Sequence, residues 1–183
     1  MSRPAAFLDR DGVINVDSGY LHRWEDVVFV PGAIEGMRRL QVAGYAMVVV
    51  TNQSGIARGY YDEADLSRLH DALRAHLAGW GVRFDAIEYC PHLPEAPVAR
   101  YALACDCRKP APGMILRAAS ALDVDLGRSL LFGDKPADIE AGRRAGVGRC
   151  VRLAANGEPA SGPGAEQPDF LTLPQALDAL GIG

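Results

Sequence analysis

No stretch of this chain approaches the roughly 18 consecutive apolar residues that mark a bilayer-spanning helix. Its opening, MSRPAAFLDRDG, has neither a long apolar run nor a small-residue cleavage site. The expectation is a protein with no membrane span and no secretory leader. Positive charge is also in short supply: 19 Lys and Arg stand against 23 Asp and Glu, a formal net charge of −4. That balance gives no reason to expect nucleic acid or an anionic membrane as a partner, although a small anionic substrate needs only local charge. Cysteine is sparse, and three of the four (Cys90, Cys105 and Cys107) fall within 18 residues, with His92 between them. Such clustering reads as a metal site rather than a disulfide framework, and it places the protein in the cytoplasm. Internal repeats and low-complexity tracts are missing too.

What is present suits one α/β domain over residues 1–183. A chain of this length buries roughly 70% of its unfolded surface, so its core needs no disulfide support. AAFLD (5–9) is a short apolar run ending in an acid and reads as a buried strand. Ala33, Met37, Leu40 and Gly44 follow Pro31 at helical spacing, with the proline in the first turn and the glycine at the end. YAMVVV (45–50) is apolar throughout, as in a strand covered on both faces. Residues 62–80 are expected to form a helix with Leu66, Leu69, Leu73, Leu77 and Trp80 on one face and Asp62 as N-cap. DAIEYC, LLFG and RCVRL read as further strands, Pro112–Leu122 and Pro136–Arg144 as helices, and FLTL with PQALDAL as a closing strand and helix. The glycine- and proline-bearing stretch at about 154–168 is expected to be a mobile surface loop.

Strands alternating with helices imply a three-layer, Rossmann-like fold with a mostly parallel central sheet. Ligands of such sheets bind beyond the carboxyl ends of the strands. The chemistry-bearing residues fall there. Asp9 and Asp11 end the first strand: one carboxylate can attack phosphorus and form an aspartyl-phosphate, and the other can protonate the leaving alcohol and later activate water. Gly12 allows a tight turn beside a phosphate. Asp134 ends another strand, and with Asp9 it could hold Mg²⁺, which takes only one or two protein carboxylates beside a phosphate. Asp138 lies four residues further, at a helix start, where it could support that site. Thr51 and the amides of TNQSG offer donors to a phosphoryl oxygen. Arg108, Lys109 and Lys135 could offset the repulsion between Asp9 and an incoming dianion.

C-P-H, twelve residues, then C-D-C supplies Cys90, His92, Cys105 and Cys107, three thiolates and one imidazole. That set completes a closed tetrahedral Zn²⁺ shell, so the site is expected to be structural and to hold an irregular loop at about 90–108. Cys150 reads as a small core hydrophobe, and His22, His70 and His76 as surface residues.

FLDRDG, TNQSG, CRKP and GDKPAD occur in the order and at the strand ends typical of the haloacid dehalogenase (HAD) superfamily, which the chain resembles over essentially its whole length. Within it, DGVINVDSGY, VVVTNQSGIARG, YCPH and CDCRKPAPGM are similar to the D-glycero-D-manno-heptose 1,7-bisphosphate 7-phosphatases, which serve lipopolysaccharide precursor synthesis. The resemblance implies Asp9 as nucleophile and Mg²⁺ ligand, and Asp11 as acid/base with its carbonyl on Mg²⁺. Thr51 and Lys109 would stabilise the phosphoryl group, and Asp134 would complete the Mg²⁺ site. Substrate contacts would fall on Asp17, Ser18, Gly19, Tyr20, Thr51, Asn52, Gln53, Ser54, Arg108, Lys109 and Lys135. Only forty residues separate Asp11 from Thr51, and one loop, one helix and one strand use them up, so a cap domain is excluded and the protein is capless. The alternatives are a histidinol-phosphate phosphatase, whose TNQSG-equivalent loop typically carries an aspartate, and a zinc-stabilised binding module without activity. Nothing demands more than a monomer.

Overall fold

The computed structural model describes residues 2–159 and 168–183. Five strands, Ala5–Leu8 (β1), Ala46–Asn52 (β2), Ala86–Cys90 (β3), Leu130–Gly133 (β4) and Arg149–Arg152 (β5), form one sheet in the order β3-β2-β1-β4-β5. Every pairing is parallel, and Phe7 at the centre faces Val48 on one side and Leu131 on the other. Five helices connect and flank these strands: Ala33–Val42 (α1), Glu63–Ala78 (α2), Gly113–Leu122 (α3), Pro136–Ala145 (α4) and Leu173–Leu180 (α5).

Alternation along the strands sorts the core into two halves. Ala6, Leu8, Met47, Val49 and Phe132 pack against Met37 and Leu40 of α1, Leu73 and Leu77 of α2, and Leu177 of α5. Ala5, Phe7, Val48, Val50 and Leu131 point the other way, onto Met114 and Ile115 of α3 and Ile139 and Ala141 of α4. The three-layer α/β architecture is thus as the sequence implied. A third, smaller cluster of Ile56, Ala57, Tyr61, Leu66 and Tyr101 lies beneath the irregular loops at the carboxyl ends of the strands.

Local chemistry sets the helix ends. Asp62 accepts from Asp65 N at 2.8 Å and Asp65 Oδ2 accepts from Asp62 N at 3.0 Å, a reciprocal cap on α2. Pro136 occupies the first turn of α4, and Gly146 ends it in the left-handed region at φ 84°. Because chain order runs outward from β1 to β3 and then returns to β4 beside β1, a crevice opens where the direction reverses. Asp9 and Asp134 emerge there.

Three expectations change. Trp80 lies beyond the end of α2 and is 58% exposed, because Gly79 and the turn after it redirect the chain before the stripe can continue. FLTL forms no strand: Phe170 makes a single bridge to Leu153, and Leu173 already starts α5. His70 is buried at 6% exposure, whereas His22 is half-buried and His76 exposed. Much of the expected mobile loop, 160–167, lies outside the described residues. Among the described residues no helix is long and apolar enough to cross a membrane, and no domain interrupts the segment between Asp11 and Thr51.

Candidate active site

Asp9 follows β1 directly, and its N–H donates to Phe132 O at 3.0 Å, which ties the end of β1 to β4. Its Oδ1 accepts from Lys109 Nζ at 2.8 Å and from Arg10 N at 2.9 Å. The buried Lys109 ammonium donates to Val50 O at 2.8 Å as well and lies 2.7 Å from Asp138 Oδ1. Three acceptors meet its three donors, so the cation is fully satisfied without water. Burial opposes the Lys109 charge, but Asp9 and Asp138 outweigh it and hold its pKa above the ordinary lysine value. Burial lifts the Asp9 carboxyl to about 7, against the pull of Lys109 and with a push from Asp138 and Asp134.

Asp134 follows β4 and packs under the turn after β1. A Cβ on Gly12, which has φ +92°, would come within 2.6 Å of Asp134 Oδ2, so only glycine permits this approach. Asp134 Oδ1 is buried with no hydrogen-bond partner among the described residues, and burial raises its pKa. Asp9, Asp134 and Asp138 each bring a carboxylate oxygen within 4.8 Å of the others. An orphaned oxygen amid three buried carboxylates, with only the buried Lys109 ammonium facing two of them, is the donor set a hard divalent ion fits.

Asp11 is held quite differently. Arg10 Nε and Nη2 donate to Oδ1 and Oδ2, both at 3.0 Å. Asn15 Nδ2 adds a bond to Oδ1 at 2.9 Å, and Gln53 Nε2 one to Oδ2 at 3.0 Å. Gln53 Nε2 reaches Thr51 Oγ1 at 2.8 Å too, while Tyr61 Oη donates to Gln53 Oε1 at 2.5 Å. Burial pushes the Tyr61 phenol up to about 12, which keeps that donor protonated.

Asp9, Asp11, Thr51, Gln53, Tyr61, Lys109 and Asp138 line one cleft of about 370 Å³. Every residue the sequence singled out as catalytic borders it, as do Asp17, Gly19, Tyr20, Asn52, Gln53, Ser54, Arg108 and Lys135. Ser18 is exposed and not part of the wall, because the turn from Asp17, whose Oδ1 accepts from Gly19 N at 3.1 Å, points it outward. Asp134 is buried and not among the residues that line the cleft. Asn52 exchanges hydrogen bonds with the Lys109 backbone at 3.1 and 3.2 Å, so its amide positions the lysine loop. Lys135 reaches across the cleft to Asp17 Oδ2 at 3.2 Å. Tyr20 forms the outer rim, edge-on to Tyr60 at 4.8 Å and beneath the Arg58 guanidinium. Sequence reasoning missed Arg10 and Tyr61. Arg10 had a visible signal, a basic residue wedged between two acids at a strand end.

Beside this cleft, Cys90, His92, Cys105 and Cys107 converge. Cys107 Sγ lies 3.1 Å from Cys90 Sγ, 3.3 Å from Cys105 Sγ and 3.3 Å from His92 Nδ1, and all four cysteines of the chain are free thiols. These separations are too long for the ~2.05 Å of a disulfide. They approach the edge of a tetrahedron about a single ion, roughly 3.7 Å for metal–sulfur bonds of ~2.3 Å. The residues therefore suit a metal ion, and Arg108 N supports the cluster by donating to Cys105 Sγ at 3.4 Å. Arg108 N and the next residue, Lys109, lead directly from this cluster into the cleft.

The HAD-hydrolase-like family model matches residues 106–177. A D-glycero-β-D-manno-heptose-1,7-bisphosphate 7-phosphatase of Photorhabdus laumondii is 49% identical over 85% of this chain and 82% of its own length. The enzyme of the same name from Escherichia coli K12 is 45% identical over 96% of this chain and 94% of its own. Among solved structures, a HAD-like phosphatase of Mesorhizobium loti superposes with a TM-score of 0.82 at 38% identity, covering 98% of this chain and 86% of that one. The D,D-heptose 1,7-bisphosphate phosphatase of B. bronchiseptica, complexed with magnesium and phosphate, gives 0.70 at 38% identity over 82% and 79%. A parallel α/β sheet, acidic residues at the ends of β1 and β4, and these likenesses agree: the chain belongs to the D-glycero-D-manno-heptose-1,7-bisphosphate 7-phosphatase family of HAD-like hydrolases.

Proposed function

We propose that this protein hydrolyses the 7-phosphate of D-glycero-D-manno-heptose 1,7-bisphosphate through an aspartyl-phosphate on Asp9, supplying a precursor of nucleotide-activated heptose for lipopolysaccharide. The observation that carries this reading is the buried contact of Asp9 with Lys109 on the floor of a cleft bordered by Arg108 and Lys135. A carboxylate oxygen of Asp9 attacks phosphorus, the bond from phosphorus to the sugar oxygen breaks, and Asp11 donates the proton that the departing alkoxide takes. Water then attacks the phosphorus of the aspartyl-phosphate and yields its proton to Asp11, which releases inorganic phosphate and restores Asp9. Lys109 and the Thr51 hydroxyl bear on the phosphoryl oxygens as their charge redistributes. Mg²⁺, held by Asp9, Asp134 and the carbonyl of Asp11, would supply Lewis-acid charge to the same oxygens.

Asp17, Gly19 and Tyr20 on one rim, Asn52 to Ser54 at the end of β2, and Arg108 with Lys135 across from them form the proposed sugar site. Two cations beyond Lys109 suit a substrate with a second phosphate. The Cys/His cluster is proposed to hold a structural Zn²⁺, since three thiolates and an imidazole saturate a tetrahedral ion. Unpaired thiols in that cluster support a reducing, cytoplasmic setting. The chain is read as a single domain, because one sheet carries both halves of the core, and it is proposed to act as a monomer.

Steady-state kinetics with Mg²⁺ on heptose 1,7-bisphosphate and histidinol phosphate tests the assignment. The heptose ester is expected to give the higher kcat/KM. Preference for histidinol phosphate would overturn the substrate, and no turnover of any phosphate ester by folded, Mg²⁺-loaded protein would leave a binding module.

A further inference from the structure

The geometry points to Arg10 as a positioning residue for the Asp11 acid/base, with His70 as the buried acceptor that holds the Arg10 guanidinium in place. Arg10 is the largest fully buried side chain among the described residues, at 0% exposure, and it is not part of the cleft wall. It therefore acts on substrate only through another group. Its Nε and Nη2 fork both oxygens of Asp11 at 3.0 Å, which fixes the plane of the carboxylate as well as its position. Nη2 also donates to Leu21 O at 2.9 Å, and Nη1 lies 3.2 Å from His70 Nε2. That last contact needs an unprotonated Nε2. Burial, with Arg10 and Arg74 nearby, lowers the His70 pKa to about 3, so the ring is neutral and Nε2 is free to accept.

The arrangement runs from α2, which carries His70, through Arg10 to Asp11 and spans sixty positions of sequence. A lone carboxylate at a strand end would sample several rotamers. The fork, with Asn15 and Gln53, leaves Asp11 one orientation toward the cleft. Lysine cannot span both oxygens, so Arg10→Lys keeps the charge and loses the aim. His70→Leu removes the acceptor and leaves a buried guanidinium N–H unmatched, whereas His70→Gln returns an amide oxygen near the former Nε2.

This inference rests on Asp11 as the general acid of the proposed reaction, and leaving-group dependence reads that role. kcat/KM covers steps only through departure of the leaving group. A sugar alkoxide needs a proton at that stage and 2,4-dinitrophenolate does not. The two esters to compare are heptose 1,7-bisphosphate and 2,4-dinitrophenyl phosphate. Arg10→Lys is expected to lose about 100-fold on the sugar ester and under about 3-fold on the aryl ester. His70→Leu is expected to lose about 10-fold on the sugar ester alone, with His70→Gln restoring most of it. If Arg10→Lys does not fold, the two His70 variants decide. Asp11→Asn on the same pair is the reference. Equal losses on both esters, or none, in the Arg10 and His70 variants beside a selective loss in Asp11→Asn would overturn the positioning role alone. A non-selective Asp11→Asn would overturn the acid role itself, and the positioning role with it.

Discussion

The carboxylate centre at the ends of β1 and β4 is held by the sheet, whereas the Cys/His cluster holds its own loop. Asp9 is fixed by a backbone bond to Phe132 O, by the strand before it and by Lys109, whose third bond goes to the β2 carbonyl of Val50. The loop after β3 has no strand or long helix of its own; among its anchors are a bond from Val98 N to Ala57 O at 3.1 Å, the Tyr101 hydroxyl donating to Glu63 Oε1 at 2.6 Å, and the small apolar cluster that Tyr101 joins. Such a loop buries only a small apolar cluster, so metal–ligand bonds at the Cys/His cluster would help to offset the entropy of ordering it. The two regions nonetheless meet at Arg108 and Lys109, where the loop of the Cys/His cluster delivers its cation to the carboxylates. Rigidity in the first region thus depends in part on the second.

The comparison breaks most visibly at Asp9. Asp9→Asn is expected to lower kcat by at least ~10⁴-fold, the scale seen when a covalent nucleophile is deleted. Thermal melting should meanwhile show a fold that is no less stable, since the raised Asp9 pKa marks the charged form as costly in the metal-free protein. Lys109→Met tests how tightly the centre is balanced. Activity should fall by roughly 10²–10³-fold. The metal-free protein should lose about 3–5 kcal/mol in urea titrations, as when one member of a buried ion pair is removed. Retained stability would mean that the carboxylates tolerate each other without it.

Cys107→Ser separates the regions. Zinc content measured by metal analysis should fall, and the melting temperature should drop by roughly 5–10 °C. Activity should suffer less than in Lys109→Met, because the sheet still holds Asp9 and Asp134. Unchanged zinc content would contradict the ligand assignment. At neutral pH the smallest effect is that of His70, which shows only on acidification. Its folded pKa of about 3 lies below the free value of 6.5, so the unfolded chain binds more protons between those pH values. The stability contributed by the neutral ring is complete above about pH 6.5 and is lost as pH falls toward 3. His70→Gln should flatten the acid limb of an unfolding free-energy profile, measured by urea titration, by up to ~1.4 kcal/mol per pH unit below 6.5. A limb of unchanged slope would place the acid lability elsewhere.

Much of the site was legible because its residues sit where the chain changes character. Asp9, Thr51 and Asp134 each end an apolar run, and a polar residue after a buried parallel strand has no core role to absorb it. The Cys/His cluster was legible from spacing. His70 was not, yet the signal existed: it lies four residues after Leu66 and three before Leu73, inside the apolar stripe of α2. Histidine in such a stripe demands a partner, and sequence periodicity does not name one. Trp80 failed for the opposite reason, since an apolar residue in phase with the stripe was carried past the point where α2 ends.

From the sequence alone came the alternating α/β order, the lack of a cap, the acidic pair after β1 and the four side chains of the Cys/His cluster, all of which follow from local periodicity, composition and spacing. Tertiary structure decided which charge answers which. Lys109 is 100 residues from Asp9, His70 is 60 from Arg10, and Gln53 is 42 from Asp11. Electrostatic and hydrogen-bond energies in a dry interior depend on ångström separations and on the burial of both partners. Those quantities exist only after the sheet has brought its strand ends together.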